Sequence, residues 1–131
     1  MKITDFKKGE TVWILLTGNM ARNKQGTDRI EEWEVVSVGR KYITAKSKNI
    51  KWTEIKFEQK NEDFNYFTQV TPYSPDYSLY KTRKDIEDLL EKEELQLWLR
   101  QNYNRPYSLE QLRKAKAILE GENSKLKTSL S

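Results

Sequence analysis

The sequence contains no cysteine and no histidine, and these two absences exclude several classes of function. Without cysteine, the chain can form no disulfide and has no thiolate nucleophile. Without either residue, it has no imidazole base and cannot form the usual zinc and copper sites. We therefore predict that the protein needs no metal and no cofactor. The missing cysteines also fit a reducing, intracellular setting.

Long apolar runs are missing too. The longest, residues 12–16, is far shorter than the ~20 residues that a membrane-spanning helix needs. The first residues, Met-Lys-Ile-Thr-Asp, contain no apolar signal core. These features predict a soluble, cytoplasmic protein that has no membrane partner.

Catalytic motifs are absent as well, since the chain has no Gly-rich phosphate loop and no serine elbow. The first predicted helix does carry an acidic run, formed by Asp85, Glu87, Asp88, Glu91, Glu93 and Glu94. Such a run could form a carboxylate metal site or mimic the phosphates of DNA. Basic residues interrupt it, however, and a solvated helix face explains it better. We predict that the protein is not an enzyme and has no catalytic residues.

The sequence does contain enough aromatic area for one core. Its 131 residues include four Trp, seven Tyr and four Phe, which fits one domain, or a small domain with an appendage. The net charge of +4 is uneven: residues 1–60 hold 13 basic and 8 acidic residues (+5), and residues 61–131 hold 11 and 12 (−1). The positive excess can attract phosphate backbones, although a lysine-rich surface that serves only solubility has the same composition.

Residues 30–58 carry the clearest structural pattern. Three runs rich in β-branched and aromatic residues, at 30–38, 42–47 and 50–58, are separated by turn signals at residues 39–41 and 48–49. These runs predict an antiparallel meander with one face in the core and one in water. A change of the apolar face near Val35 and Val36 predicts a β-bulge in the first run.

Two further predicted strands, at residues 11–17 and 64–71, bring the number to five. The basic turn at Gly9 that leads into Val12-x-Ile14 is typical of the start of an SH3-like barrel. We therefore predict an α+β fold: a small five-stranded antiparallel SH3-like β-barrel followed by two C-terminal α-helices.

The second part of the chain is predicted to be a connector and a helical pair. Residues 72–80 are predicted to be an extended connector, because Pro72 and Pro75 disfavour helix and central strand. Thr82 and Ser108 are predicted helix caps, and Gly121 is the predicted end of the second helix. The predicted domains are a barrel over residues 1–72 and, over residues 73–131, a Pro/Tyr connector with a helical pair packed on the barrel.

Basic residues in and beside the predicted turns form the candidate binding site for nucleic acid or a partner protein. The candidate residues are Arg22, Lys24, Arg29, Arg40, Lys41, Lys46 and Lys48. For each of them, surface solubility is the alternative to a role in binding.

An ordered series of short motifs runs along the chain. It consists of Lys8-Gly9-x-x-Val12-Trp13, Ala21-Arg22, Val36-x-Val38-Gly39-Arg40-Lys41-Tyr42-Ile43-Thr44, Asp76-Tyr77-x-Leu79-Tyr80 and Leu109-x-x-Leu112. In this order the motifs resemble a family of small β-barrel-domain proteins of Gram-positive bacteria and their phages and mobile elements, over about residues 8–119. The resemblance implies a fold and a genomic setting, and it carries over no catalytic residue.

Two functions are open at this point. The first is a non-enzymatic binding protein of phage or mobile-element type, which acts on a host nucleic-acid-handling machine as an anti-CRISPR-like inhibitor or accessory protein. Its partner would be a host protein or nucleoprotein complex. The alternative is a module that binds nucleic acid directly through the basic barrel loops. The sequence leaves the oligomeric state open.

Overall fold

The computed structural model describes residues 1–49 and 53–130, with side chains described as far as Gly121. The chain divides into two compact units, Met1–Leu95 and Gln96–Ser131. We call them the barrel unit and the helical unit.

The barrel unit contains six antiparallel strands that pair in chain order and close into a barrel. The strands are β1 (Thr11–Leu16), β2 (Ile30–Val38), β3 (Tyr42–Ser47), β4 (Glu54–Glu58), β5 (Tyr66–Gln69) and β6 (Tyr77–Tyr80). Two helices follow, α1 (Arg83–Asn102) and α2 (Leu109–Leu130). The predicted outline, a closed antiparallel barrel followed by two C-terminal helices, is confirmed. The likeness to SH3 barrels and the packing of a helical pair on the barrel stay predictions.

The predicted number of strands was wrong, because the barrel has six strands rather than five. The sixth strand, β6, lies within the segment predicted to be a connector. It begins after Pro75, and a proline restricts only itself and the residue before it. Leu79 of β6 pairs with Ile14 on one side and with Phe67 on the other, so this strand closes the barrel.

The barrel interior is filled by the alternate side chains of the strands, as the period of two in the sequence predicts. Trp33, Phe57 and Phe67 are the largest fully buried side chains. Trp33 and Phe57 meet edge to face with their ring centroids 6.2 Å apart, a favourable geometry for aromatic pairs. The predicted bulge in β2 is confirmed, because the register with β3 shifts between Val35 and Ser37.

A second apolar cluster lies on the outside of the barrel. Leu15, Tyr80 and Ile86 are buried there, with Trp13 and Leu89 packed against them. Leu15 and Trp13 have the opposite parity in β1 to the interior residues, so β1 is covered on both faces. The first half of α1 therefore packs over β1 and β6 within the barrel unit.

The start of α2 agrees with the prediction, whereas its end does not. The Gln111 backbone N–H donates to Ser108 Oγ at 3.1 Å, and the Ser108 N–H donates to Gln111 Oε1 at 3.0 Å. This reciprocal capping box confirms the predicted start of α2. The predicted end at Gly121 is wrong, because α2 continues to Leu130. A glycine inside a helix costs only about 1 kcal/mol, and helix-compatible residues follow it.

Residues 50–52, which open the third predicted run, lie outside the described residues, and β4 begins at Glu54. Within the described part of the chain, neither long helix combines the length and the apolar character that a membrane crossing requires.

Candidate nucleic-acid interface

The seven candidate basic residues are distributed over two ends and one side of the barrel. Consecutive connections between antiparallel strands alternate between the two ends of a closed barrel. The β2–β3 turn at residues 39–41 therefore lies at one end, which we call the turn end. The β1–β2 connection at residues 17–29 lies at the other, the loop end. Arg40 and Lys41 are thus separated from Arg22, Lys24 and Arg29, and the fold does not join the seven into one surface.

At the loop end, Arg29 has structural partners. Its Nε donates to the Leu16 carbonyl oxygen at 3.2 Å, and its Nη1 lies 3.9 Å from Glu93 Oε2 of α1. About three quarters of its side chain is buried. Arg29 therefore helps to connect the end of β1 with the first half of α1, and little of its charge faces solvent.

The first part of the same connection is fixed against the segment before β6. Thr17 Oγ1 donates to the Pro75 carbonyl oxygen at 2.8 Å, and the Asn19 N–H donates to Asp76 Oδ1 at 2.9 Å. Gly18 has a φ of +51°, and a Cβ added there would lie 2.7 Å from Asp76 Oδ1. A side chain at this position would be both strained and too close. The β1–β2 connection is therefore anchored at its start.

Arg22 and Lys24 extend from the exposed remainder of that connection. Neither forms an ion pair with a described residue. The same connection also contains the acidic residue Asp28, which lowers its net positive charge.

On the side of the barrel, Lys46 and Lys48 are paired with glutamates of the neighbouring strand. Lys46 Nζ lies 3.7 Å from Glu34 Oε2, and Lys48 Nζ lies 2.8 Å from Glu32 Oε2. The pairing follows from the β2–β3 register, in which Glu34 is opposite Lys46. Exposed pairs of this kind contribute little stability, but they cancel charge. Among the described residues, these two ion pairs therefore balance the charges of Lys46 and Lys48.

The turn end is different, because its cations surround an aromatic ring. Lys41 Nζ lies 5.3 Å from the Tyr42 ring centroid, and Lys56 Nζ of β4 lies 5.9 Å from it. Arg40 and Lys41 are exposed, and neither they nor Lys56 form an ion pair with a described residue. We call Arg40, Lys41, Tyr42 and Lys56 the turn patch.

Two more lysines lie at the turn end. The Gly9 N–H donates to the Val35 carbonyl oxygen at 2.9 Å, and the Val35 N–H donates to the Glu10 carbonyl oxygen at the same distance. These bonds extend the pairing of β1 with β2 toward the turn end, so exposed Lys7 and Lys8 lie there as well.

Two acids near the turn patch are paired with other lysines. Glu58, opposite Tyr42 in the sheet, lies 2.6 Å from Lys60 Nζ. Glu10 lies 3.1 Å from Lys81 Nζ. These two acids therefore do not pair with the turn patch, whereas Glu62 and Asp63 of the β4–β5 connection lie at the same end of the barrel.

The acidic run of α1 lies on another side of the barrel. Its half of the helix packs over β1 and β6, whereas the turn patch belongs to β3 and β4, which lie across the closed strand order. Two of its acids are paired along the helix, Glu87 with Arg83 and Asp88 with Lys84. The acids therefore do not neutralise the turn patch.

Sequence reasoning identified Arg40 and Lys41 but left Tyr42 and Lys56 out of the site. The alternation of β3 and β4 did place both on the wet face. What it lacked was the β3–β4 register, in which Tyr42 is opposite Glu58 and Thr44 is opposite Lys56. That register brings Lys56 diagonally beside Tyr42, within reach of a long side chain.

These features define a class of small domain, a closed six-stranded barrel with a basic turn and a C-terminal helical extension. The family model of the phage ProQ C-terminal-like domain matches residues 1–124, so the chain belongs to that family. No curated protein matches the sequence, and no solved structure matches it either. The predicted phage association is confirmed. The assignment to Gram-positive bacteria and mobile elements stays a prediction.

Proposed function

We propose that this protein is a non-enzymatic, phage-type binding protein whose barrel binds the phosphate backbone of nucleic acid through the turn patch and Lys7 and Lys8. The observation that supports this proposal is the contrast between the basic residues. Arg40 and Lys41 are exposed without an ion pair to a described residue, whereas Lys46 and Lys48 are paired with glutamates. A cation that neutralises a phosphate releases counterions from the nucleic acid, and a lysine already paired with a glutamate has to give up that pair first.

The chemistry of the turn patch fits a single-stranded segment. Two lysines and an arginine can contact successive phosphates, and the Tyr42 ring beside Lys41 and Lys56 is the aromatic group on which a base would stack once these lysines turn to the phosphates. Arginine adds a planar, bidentate donor for phosphate oxygens. The proposal includes no bond-making step, because the patch consists of cations and one phenol.

The experiment measures binding of the full chain to a labelled single-stranded oligonucleotide by fluorescence anisotropy, over a range of salt concentrations. We expect binding that weakens steeply with salt. The Arg40→Ala/Lys41→Ala variant should bind about tenfold or more weakly, with a log–log salt slope shallower by roughly two. RNA, DNA and duplex probes identify the preferred nucleic acid.

The matched control is Arg22→Ala/Lys24→Ala, which removes the same charge from exposed positions at the loop end. This control should bind nearly as well as the unmodified protein. Equal losses in the two variants would mean diffuse attraction by net charge and would contradict the assigned site. No binding at about 50 mM salt, where backbone contacts are strong, would contradict the function itself.

A second candidate function is supported by a different surface. Trp98 is half exposed in α1, beside half-exposed Leu97 and Leu99, and tryptophan is a frequent anchor of protein interfaces. With the phage family, this supports binding to a host nucleic-acid-handling machine, as an anti-CRISPR-like inhibitor or accessory protein. A pull-down from host lysate tests it: a stoichiometric partner should be lost with Trp98→Ala, and its absence with the unmodified protein would contradict the idea.

A further inference from the structure

The large apolar side chains of α2 that the structure describes are exposed. Leu109 is 63% exposed, Leu112 51% and Leu119 55%. Exposed leucines that recur along one helix indicate a surface that another element covers.

The leucines of α2 follow a heptad spacing. In the sequence, Leu112, Leu119 and Leu126 are each seven residues apart. The positions three residues before these leucines hold Leu109, Lys116 and Asn123, and the next position of this second series, seven residues later, holds Leu130. With the first set at d and the second at a, the helix carries three heptads with leucine at every d position. A strict seven-residue repeat is the pattern of a left-handed coiled coil.

From this pattern we propose that α2 pairs with α2 of a second copy of the chain in a parallel, two-stranded coiled coil. The polar a positions favour this occupant. A buried Asn or Lys at a specifies register and the number of strands, at a cost in stability. Lys116 Nζ lies 4.0 Å from Glu120 Oε1, at the flanking e position. A two-stranded seam leaves such side chains access to solvent at its edges, whereas a closed protein core does not.

The flanking charges favour the parallel direction. In a parallel pair, each g residue faces the e residue five positions later in the partner helix. The sequence places glutamate at 122 (g) and lysine at 127 (e), which gives one attractive pair on each side of the seam. Arg113 at e faces a serine at 108, and Glu120 at e faces an alanine at 115. No like charges oppose each other in this arrangement.

The seam is short, so we expect an equilibrium rather than a permanent dimer. The 22 residues of α2 span roughly 33 Å at 1.5 Å per residue. The proposal does not depend on nucleic-acid binding, because no residue of the turn patch belongs to α2.

The first experiment is sedimentation equilibrium of the full chain from about 1 μM to about 1 mM, a range that covers weak association. The unmodified protein should change from monomer to dimer. Leu119→Asp should weaken dimerisation about 100-fold or more, because a carboxylate would enter the seam in both copies. Ile118→Asp is the matched control: its residue is adjacent and 67% exposed but occupies position c, so it should leave the dimer intact.

The second experiment tests the direction by cross-linking. Because the chain has no cysteine, a single introduced thiol reports one contact. Leu112→Cys should form a disulfide-linked dimer readily under mild oxidation, since equivalent d residues face each other in a parallel pair. Lys114→Cys, at the outer f position, should not.

Four outcomes would overturn the proposal. The proposal fails if the unmodified chain remains monomeric throughout the concentration range, or if the two aspartate variants lose association equally. A monomer whose Leu119→Asp variant loses helix content would instead place α2 against its own chain. Cross-linking through position 114 rather than 112 would exclude the assigned seam.

Discussion

The barrel unit and the helical unit differ in how much of their apolar side chains is exposed. In the barrel unit, the interior side chains of the strands are almost completely buried. In the helical unit, the large apolar side chains that the structure describes are 45–72% exposed, apart from the less exposed Tyr107. A closed sheet makes its own core, because every strand has two neighbours and one face turned inward. A helix has only one apolar stripe, and it needs another element to cover that stripe.

The same contrast appears within α1, which crosses the boundary between the units. Ile86, in its first turn, is fully buried against the barrel, whereas Leu99 is half exposed. Apolar character in the sequence is similar at both ends of this helix. The difference is whether a neighbouring surface is present, so burial in this chain is decided by tertiary context rather than by composition.

The largest expected effect comes from shortening one leucine in each region. Leu79→Ala removes a fully buried side chain from the closing strand, and we expect it to lower the free energy of unfolding by about 2–5 kcal/mol. Leu99→Ala shortens a half-exposed side chain and should change it by about 0.5 kcal/mol or less. Urea denaturation followed by tryptophan fluorescence measures both values.

Equal losses from the two substitutions would break the comparison. They would mean that the second half of α1 is covered in solution as completely as the barrel interior. Measuring Leu99→Ala at low and at high protein concentration separates cover by the same chain from cover by a second copy, since only the latter depends on concentration.

Local patterns in the sequence predicted part of the fold with accurate bounds. Strands β2 and β3 begin and end at the predicted residues, Ile30–Val38 and Tyr42–Ser47. Both strands have period-two alternation and a turn signal lies between them, so the local sequence is sufficient to predict their bounds. The Ser108 cap was found for the same reason, because its partner Gln111 is three residues away.

The sequence analysis missed strand β6 because this strand is stabilised by pairing with residues that are distant in the sequence. The prolines before it gave a strong signal for a connector. What makes residues 77–80 a strand is pairing with β1 and β5, and β1 lies more than sixty residues earlier in the chain. No periodicity within four residues can report such a pairing.

The candidate site was limited in the same way. Sequence identified the cations but not their surroundings. Pairing of Lys46 with Glu34 depends on the β2–β3 register, and the separation of Arg22 from Arg40 depends on closure of the barrel. The sequence shows which residues are charged, but the fold determines which of them lie together on one surface.

Alkaline pH should weaken the barrel unit through Tyr80. Burial raises the pKa of its phenol to about 12, and the nearby Tyr66, Glu93 and Asp85 add to the shift while Arg29 opposes it. Since the folded pKa exceeds the unfolded value of 10.0, this contribution is fully present below pH 10 and is lost as the pH rises toward 12. The loss should reach about 3 kcal/mol at most. Unfolding curves between these pH values measure it.

The Tyr80→Phe variant removes the titrating group and should flatten the fall in stability over that pH range. Tyr73→Phe is the control, because Tyr73 is 83% exposed, and its curve should follow that of the unmodified protein. If Tyr80→Phe retains the full alkaline loss, burial of this phenol does not limit the stability of the barrel unit.

A smaller effect than those of Leu79 and Tyr80, about 1 kcal/mol for each capped helix, comes from the two helix caps. Thr82 Oγ1 accepts from the Asp85 N–H at 3.2 Å where α1 joins the barrel, and Ser108 Oγ accepts from the Gln111 N–H at 3.1 Å in the helical unit. Thr82→Ala should lower the unfolding free energy of the barrel, because the first half of α1 covers Tyr80 and Leu15. Ser108→Ala should leave that value unchanged in dilute solution and reduce only helix content, measured by circular dichroism. A drop in barrel stability with Ser108→Ala would show that the two units unfold together, whereas no change with Thr82→Ala would show that the start of α1 adds little to the barrel.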